Sequence, residues 1–309
     1  MSHPAALLVV SYGSHELVRE NIGRTAMPDE TLVVVVDNWT TEVERVAMTA
    51  LAQRSGWVLL TPDENLGFGG GMNIAAAEAI ARGAGTLVLL NPDAHLLDDG
   101  FEQLIHAVNE PDVIVAPVVL RPDGSHFSSE MELDLTRGRI RRREDDRSYP
   151  ETAVWVSGAC LAIGAEFWQR IGGFDDDYFL YWEDVDFSVR AGELGGRVRV
   201  DPTIRAVHSA GGTQVTGSQA KSPIYYRFNA RNRLVFAAKH VGRAAQSRWL
   251  RSSVTAAWGI LKRGGRRQFL RPAQNIGPVL RGTWEGWRYL RASRRVEAAH
   301  SRTAGGSVS

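Results

Sequence analysis

The chain has 309 residues, 44% of them hydrophobic, which is enough for one large α/β domain with an appendage or for two ordinary domains. A single cysteine, Cys160, excludes an internal disulfide framework, and no apolar run reaches the roughly 18 residues of a membrane span. The net charge of +1 hides a division, because residues 240–309 hold 14 Lys+Arg and 2 Asp+Glu whereas the rest is acidic.

Apolar β-rich runs alternate with segments of helical spacing along the first 120 residues. We predict strands at 6–10, 32–36, 57–60, 86–90 and 113–116, and helices at 15–25, 41–54, 72–82 and 98–109. The first run is too short and lacks the basic flank of a signal peptide, so we expect a strand rather than a leader there. This alternation predicts a mostly parallel, Rossmann-like sheet with helices on both faces, whose ligands lie beyond the carboxyl ends of the strands.

The character of the sequence changes between residues 121 and 150. Basic residues fill positions 137–143 and acids fill 144–146, which predicts a charged, mobile insertion. It is either a solvated loop or a lip on the acceptor side of a site. Order resumes with the apolar run 154–163 and a helix from Ala165.

Two polar groups follow predicted strands. Asp37 ends the run 32–36, where a carboxylate either binds a base or ribose or caps the next helix. Asn91-Pro92-Asp93 follows the run 86–90 and is either a simple turn or the carboxylate of a Mg²⁺ or Mn²⁺ site facing a diphosphate.

A glycine-rich segment, residues 65–73, leads into an alanine-rich helix. Glycines allow close backbone approach to a ligand, and a helix amino terminus favours anions. The spacing matches neither a dinucleotide-binding fingerprint nor a P-loop, which counts against a dehydrogenase and a nucleoside triphosphatase.

The most specific segment is 172–190, where six acids are interleaved with aromatic and large apolar residues. On a helix beginning near Glu183, Glu183 and Asp186 share a face while Asp184 turns about 100° away. This favours Asp184 as the carboxylate that does chemistry and the other two as caps or braces. The alternative is acids that only stabilise the helix dipole.

Further along, His208 ends the strand-like run 204–207, where it is either structural or a metal ligand. A Gly/Ser-rich loop, 209–218, follows, and then a segment with Arg231 and Arg233. We expect the loop to close over a donor and the arginines to neutralise phosphate.

In order and spacing, these segments over residues 5–240 resemble the bacterial family 2 glycosyltransferases, especially rhamnosyltransferase-like members that build cell walls and surface polysaccharides. The motifs that carry the resemblance are Val10-Ser11-Tyr12, Val36-Asp37-Asn38, Asn65-Leu66-Gly67-Phe68-Gly69-Gly70, Asn91-Pro92-Asp93, Val156-Ser157-Gly158-Ala159-Cys160, Gly173-Phe174-Asp175, Tyr181-Trp182-Glu183-Asp184-Val185-Asp186, His208 and Arg231-Asn232-Arg233.

The resemblance implies a GT-A fold and an inverting transfer of a sugar from a dTDP-, UDP- or GDP-sugar. Asp184 would be the catalytic base, with Asp93 and His208 as ligands of Mg²⁺ or Mn²⁺. The predicted donor-binding residues are Ser11, Tyr12, Asp37, Asn65, Gly67, Gly70, Asn73, Asp93 and Arg231. The predicted acceptor-binding residues are Ser157, Gly158, Trp182 and Glu183. Asn91 replaces the first acid of the family's DxD-type element.

We expect a catalytic domain at 1–240 and a basic, helical, tryptophan-containing extension at 241–309 that ends in a disordered terminus. Tryptophans 249, 258, 284 and 287 among arginines favour binding to an anionic membrane over packing within the protein, a homo-oligomer contact or a nucleic-acid tail.

We therefore predict a cytoplasmic enzyme, peripheral on the inner face of the membrane, with a glycan or polyprenyl-linked acceptor and no nucleic-acid partner. Two alternatives are a sugar nucleotidyltransferase, whose usual early Gly/Arg/Lys loop is missing, and a catalytically silent nucleotide-sugar-binding scaffold, which the reduced DxD element favours.

Overall fold

The computed structural model describes residues 5–143, 151–209, 221–265 and 272–305. The strands are β1 (Ala5–Ser11), β2 (Leu32–Asp37), β3 (Val58–Leu60), β4 (Thr86–Leu90), β5 (Ala94–Leu96), β6 (Val113–Leu120), β7 (His126–Ser128), β8 (Met131–Asp134), β9 (Arg139–Arg142), β10 (Thr152–Trp155), β11 (Cys160–Gly164) and β12 (Arg197–His208). The helices are α1 (His15–Arg24), α2 (Glu42–Ser55), α3 (Gly67–Ala81), α4 (Gly100–Ala107), α5 (Ala165–Ile171), α6 (Glu183–Glu193), α7 (Pro223–His240), α8 (Arg243–Arg251), α9 (Ser253–Lys262) and α10 (Pro272–Gly305).

In the described residues, the larger sheet has nine strands along the path β3-β2-β1-β4-β11-β6-β12-β5, with β7 on β6. The four strands β3, β2, β1 and β4 run parallel. Strand β11 then enters antiparallel between β4 and β6, and β12 runs parallel to β6. A smaller sheet has the order β10-β8-β9.

Helices cover both faces of the larger sheet, as predicted. Alternate residues of β1 point to opposite faces, so Leu8 and Val10 pack in a cluster with α3, α5 and α6, whereas Leu7 and Val9 pack with α1, α2 and α4. Strands buried on both faces must be apolar throughout, which explains the unbroken aliphatic runs in the sequence.

The chain divides into two compact units. The first comprises Met1–Glu132, Arg141–Arg147 and Ala153–Thr216, and the second comprises Leu133–Ile140, Ser148–Thr152 and Gly217–Ser309. This division groups α7 with the C-terminal helices, whereas the sequence prediction placed the boundary after residue 240.

Within the second unit, α7 and α10 pack at very short range through two glycines. A Cβ at Gly282 would overlap the carbonyl oxygen of Arg227, and a Cβ at Gly286 would lie 2.6 Å from that of Arg231. Small residues four apart let two helix backbones touch, so backbone contact at these two glycines sets the close approach of α7 and α10.

On the side of α7 away from these glycine contacts, the buried Arg233 connects α7 to α8 and the residues that follow it. The guanidinium of Arg233 donates to the carbonyl oxygen of Trp249 at 2.9 Å and to Ser252 Oγ at 2.8 Å, and burial lowers its pKa to about 10. Trp249 is itself fully buried and its Nε1 donates to Leu135 O at 2.7 Å. Both residues are therefore structural, which corrects the prediction that Trp249 faces a membrane and that Arg233 serves a phosphate.

The insertion predicted at 121–150 is more ordered than its charge suggested. Positions 126–142 contribute β7, β8 and β9, and Arg141 of β9 forms an ion pair with the buried Glu132 of β8. The prediction of a mobile insertion is wrong for these strands, and residues 144–146 lie outside the described residues. No helix in the described part combines the length and the apolar character needed to cross a bilayer.

Candidate active site at the carboxyl edge of the sheet

The carboxyl ends of β1, β2 and β4 lie side by side, as predicted for parallel strands. Ser11 pairs in register with Asp37, and the backbone N–H of Asn38 donates to Ser11 O at 2.8 Å. Ser11 is fully buried, whereas the neighbouring Tyr12 is 50% exposed. A phenol ring exposed at this edge is free to stack on a planar ligand.

Asp37 is buried and forms an ion pair with Arg45, a residue that the sequence analysis did not identify. Arg45 Nε lies 2.8 Å from Asp37 Oδ2, and Arg45 also donates to the carbonyl oxygens of Asp37 and Pro62. The guanidinium lies 4.4 Å from the centre of the Trp39 ring. Asp37 does not cap α2, because Thr41 does. The only sequence signal for Arg45 is its position on the first turn of the helix that follows Asp37.

The glycine-rich segment is not a loop followed by a helix at 72, because α3 already begins at Gly67. Two asparagines hold its start. Asn65 Oδ1 accepts from the N–H of Gly67 at 2.9 Å and from Asn38 Nδ2 at 2.9 Å, and Asn38 Oδ1 accepts from the N–H of Leu66 at 2.8 Å. Asn65 is thus brought to the edge as predicted, with its amide oxygen engaged in the turn.

Two glycines of α3 are required by neighbouring backbone and side chains. Gly67 has a φ of +75°, and a Cβ there would overlap the carbonyl oxygen of Phe179. A Cβ at Gly71 would lie 2.9 Å from both γ-carbons of Val10, whereas one at Gly70 would meet only Leu66 Cβ, at 3.1 Å. Close packing therefore explains Gly67 and Gly71, and Gly70 remains a predicted donor contact.

Asn73, a predicted donor-binding residue, braces the segment that leads to α6. Its Nδ2 donates to Phe174 O at 2.8 Å and its Oδ1 accepts from the N–H of Phe174 at 2.8 Å. Both ends of the amide are used within the protein, so the structure gives Asn73 a positioning role.

Asp93 and His208 come together from positions 115 residues apart. His208 ends β12, which pairs with β5 directly after the Asn91-Pro92-Asp93 turn. His208 Nε2 lies 2.9 Å from Asp93 Oδ1 and 3.3 Å from Asn91 Nδ2. Both side chains are buried, and the imidazole packs edge-on against Phe127.

The catalytic carboxylate predicted from the sequence lies at the amino terminus of α6. Tyr181 and Trp182 both adopt left-handed backbone, with φ of 67° and 76°, immediately before the helix. Asp184 Oδ1 then accepts from the N–H of Val185 at 2.9 Å, and its Oδ2 from the N–H of Gly158 at 3.1 Å. Strained backbone of this kind persists only where surrounding contacts impose it, and it fixes where the carboxylate lies.

Burial raises the pKa of Asp184 to about 6, even though the two backbone N–H groups lower it. The pKa of Glu183 is also raised, by burial and by the charge of Asp184. Glu183 Oε2 is buried without a hydrogen-bond partner among the described residues. A carboxylate with a pKa near 6 is poised to accept a proton at neutral pH.

A short series of hydrogen bonds connects the two acidic positions. Asp184 bonds the N–H of Gly158, Ala159 O accepts from the N–H of Asn91 at 2.9 Å, and the Asn91 side chain lies beside His208. Cys160, next in the chain, pairs with Leu90 at the end of β4. Asp93 and Asp184 therefore belong to the same edge of the sheet, as the predicted function requires.

The predicted acceptor residues lie around Asp184, with differing exposure. Gly158 is buried and donates to Asp184, and Ser157 Oγ accepts from the N–H of Ala159 at 3.3 Å. Trp182 and Glu183 are each 7% exposed. Asp186 braces α6, since its Oδ2 accepts from Arg190 Nε at 2.7 Å.

Arg231 belongs to α7 of the second unit, where its Nη1 donates to Asn232 Oδ1 at 2.6 Å. Its predicted contact with donor phosphate stays a prediction. Of the loop predicted to close over the donor, only Ser209 is described, and its N–H donates to Asp93 O at 2.9 Å; residues 210–218 lie outside the described residues. The four last residues, 306–309, also lie outside them.

A family model described as "Glycosyltransferase like family 2" matches residues 3–243. The chain belongs to glycosyltransferase family 2. The predicted family, enzyme class and glycosyltransferase function are therefore confirmed.

Curated relatives of this family 2 enzyme include rhamnosyltransferases. The N-acetylglucosaminyl-diphospho-decaprenol L-rhamnosyltransferase of Mycobacterium tuberculosis is 27% identical over 57% of this chain and 66% of its own length. The match thus spans slightly less than two thirds of that relative. The rhamnosyltransferase WbbL of Escherichia coli is 23% identical over 66% of this chain and 83% of its own length.

The mannosyltransferase PcManGT from Pyrobaculum calidifontis, solved with GDP-Man and Mn²⁺, superposes with a TM-score of 0.56 at 18% identity, covering 95% of this chain and 86% of that one. The predicted GT-A fold with helical C-terminal extension is confirmed.

Proposed function

We propose that this enzyme transfers a sugar from a nucleoside diphosphate to an acceptor hydroxyl with inversion, using Asp184 as the base. The observation that carries the proposal is the carboxylate of Asp184. Two backbone N–H groups hold it, burial brings its pKa to about 6, and hydrogen bonds connect it to the edge that carries Asp93 and His208.

In the proposed reaction, the acceptor hydroxyl gives its proton to an oxygen of Asp184 as its own oxygen bonds to the anomeric carbon. The bond from that carbon to the diphosphate breaks on the opposite side, and the departing nucleoside diphosphate keeps the electron pair. Each oxygen of Asp184 accepts one backbone N–H and has a second lone pair for the proton. One displacement of this kind inverts the anomeric centre.

Asp93 and His208 fit a divalent cation. Asp93 Oδ1 and His208 Nε2 are 2.9 Å apart, and neighbouring ligands about 2.1 Å from an octahedral ion are separated by roughly 3 Å. Among the residues that the structure describes, no three His, Cys, Asp or Glu side chains form a metal cluster. Mg²⁺ is usually bound through one or two carboxylates together with water and phosphate oxygens, so Asp93 with His208 beside it is a fitting protein contribution. When bound, the cation would offset the negative charge that develops on the leaving diphosphate.

The donor is assigned to the edge formed by β1, β2 and β4. Ser11 Oγ and Thr40 Oγ1 are buried there without a hydrogen-bond partner in the described part of the chain. Buried polar atoms normally have partners, so these two favour a polar ligand beside Asp37. We assign the base and ribose to Tyr12 and Asp37, and the diphosphate to the side of Asp93.

Rhamnose is the proposed sugar, and a lipid-linked glycan is the proposed acceptor. The support is the names of the relatives, two of which are rhamnosyltransferases and one of which acts on a diphospho-decaprenol. The basic charge of residues 240–309 fits an enzyme that works at the anionic inner face of a membrane.

The experiment uses the full chain with dTDP-, UDP- and GDP-sugars, with and without Mn²⁺, and a polyprenyl diphosphate glycan as acceptor. We expect transfer from one donor, and Asp184→Asn should lower it by about 10³-fold while donor binding persists. Asp176→Asn, an exposed acid in the same segment, is the control. Donor binding without transfer by the wild type would favour the silent scaffold, and near-normal transfer by Asp184→Asn would remove Asp184 from the role.

A further inference from the structure

The second unit contains a cavity that takes no part in the proposed reaction, although Arg231 in its wall was predicted from the sequence to contact donor phosphate. It has a volume of about 370 Å³ and lies between α7 and α10, with walls that include Arg227, Arg231, Arg288, Glu285, Trp284 and Tyr289. This volume is within the range of small-molecule sites, which begins at roughly 300 Å³.

The lining is strongly basic. Arg227 binds Glu285 through two N–H groups, each at 2.9 Å, and Arg281 Nε also lies 2.9 Å from the same carboxylate. These contacts lower the pKa of Glu285 despite its partial burial, so its single negative charge is present at neutral pH. The lining therefore has three arginines, Arg227, Arg231 and Arg288, and the single carboxylate of Glu285, so its net charge is positive. A positive lining suits a phosphate or diphosphate group.

An apolar stripe leads away from this cavity along α10. Ile276, Leu280 and Trp284 follow one another at intervals of four residues, so they lie along one side of the helix. They are 37%, 64% and 53% exposed, and Trp284 belongs to both the stripe and the cavity wall. Arg288, one turn further, places its guanidinium 4.7 Å from the centre of the Trp284 ring.

We propose that this cavity and stripe bind a phosphorylated polyprenyl lipid, with the phosphate group among the arginines and the hydrocarbon chain on Ile276, Leu280 and Trp284. A soluble nucleotide would match the cavity but would leave the adjoining apolar stripe without a function. An amphiphile matches both, because its charged and apolar parts are joined in the same order as the two surfaces. The inference rests on the proposed function in that this lipid is the carrier of the acceptor.

The test is flotation of the full chain with phosphatidylcholine vesicles, either pure, with phosphatidylglycerol, or with undecaprenyl phosphate at equal charge. We expect the tightest binding to the undecaprenyl phosphate vesicles. Arg288→Gln should weaken it by about tenfold, since a charge-assisted hydrogen bond is lost. Arg295→Gln removes an equal charge from the same helix outside the cavity and should change binding less than twofold. Equal losses in the two variants would show only diffuse attraction and would overturn the proposal.

A second pair of variants tests the stripe. Leu280→Gln should weaken vesicle binding severalfold and leave calorimetric binding of inorganic pyrophosphate unchanged, whereas Val254→Gln on α9 should alter neither. Pyrophosphate binding that depends on Arg288 while vesicle binding ignores Leu280 would identify a soluble anion site. A change of oligomeric mass in Leu280→Gln would identify a second copy of the chain as the occupant. Either result would overturn the lipid assignment.

These assays need no sugar donor, so the two proposals fail separately. Transfer that depends on Asp184 without lipid phosphate binding would defeat only the inference about the cavity. Lipid phosphate binding by a chain that transfers no sugar would defeat only the proposed function.

Discussion

Two acidic regions at the active-site edge differ in the groups that face their carboxylates. At the ends of β2 and β4, each buried aspartate faces a basic side chain, Arg45 for Asp37 and His208 for Asp93. At the start of α6, Glu183 and Asp184 have no ion-pair partner among the described residues, and two backbone N–H groups hold the carboxylate of Asp184. We propose that the first region holds the donor and its cation and that the second exchanges a proton.

The first region is expected to respond most strongly to removal of the Asp93 carboxylate. Asp93→Asn should lower transfer by roughly 10²- to 10³-fold, because the charge on the departing diphosphate loses its stabilisation. Steady-state kinetics over a range of Mn²⁺ concentrations will measure it, with Asp99→Asn, an exposed acid before α4, as the control. Activity that is unchanged and equally responsive to Mn²⁺ would separate Asp93 from the metal.

The ion pair between Asp37 and Arg45 can be broken by replacing Arg45. Arg45→Met leaves a buried carboxylate unpaired, so the free energy of unfolding should fall by about 3 kcal/mol. Adding Asp37→Asn to Arg45→Met should restore part of the loss, because the uncompensated charge is gone. Urea denaturation of the two single variants and the double variant gives the coupling; additive losses would mean that the two side chains do not interact.

The turn that supports both regions depends on Gly67. Gly67→Ala should reduce the free energy of unfolding by about 3 kcal/mol, since it combines positive φ with overlap on the carbonyl oxygen of Phe179. Gly172 has a similar φ of +86° but open space around its Cβ, so Gly172→Ala should cost only about 1 kcal/mol. Equal losses in denaturant titrations would show that the contact with Phe179 contributes nothing.

The pH dependence of kcat/KM tests the proposed role of Asp184 as the base. Because the base must be deprotonated, kcat/KM should be constant above the Asp184 pKa of about 6 and fall about tenfold per pH unit below it. An ordinary aspartate would keep full activity to much lower pH. If the profile reports Asp184 alone, Glu183→Gln should leave the midpoint in place. A midpoint that moves in this variant would assign the titration to the coupled pair.

The sequence predicted the strands well where burial on both faces demands apolar residues. The run 86–90 coincides with Thr86–Leu90 of β4. It failed at β9, whose residues Arg139–Arg142 read as a solvated loop, because a cross-strand ion pair to Glu132 stabilises that strand. It also failed at the start of α3, because glycines disfavour helices unless tertiary contacts such as that of Gly67 with Phe179 require them.

The candidate site shows the same limit. The position of Asp184 in the first turn of a helix could be predicted, because the helix and its acidic neighbours are local in sequence. The Arg45 pair with Asp37, the Gly158 N–H that orients Asp184 and the double use of Asn73 could not. Each depends on how loops from separate strands meet, and spacing in one sequence carries no record of that.

The glycine contacts between α7 and α10 have a consequence for specificity. Where backbone touches backbone at Gly282 and Gly286, the separation of the two helices does not depend on the size of any outward side chain. Residues on the far side of α10 can then be exchanged without disturbing the scaffold beneath them. The pair therefore serves as a fixed platform on which recognition of a new partner can evolve one substitution at a time.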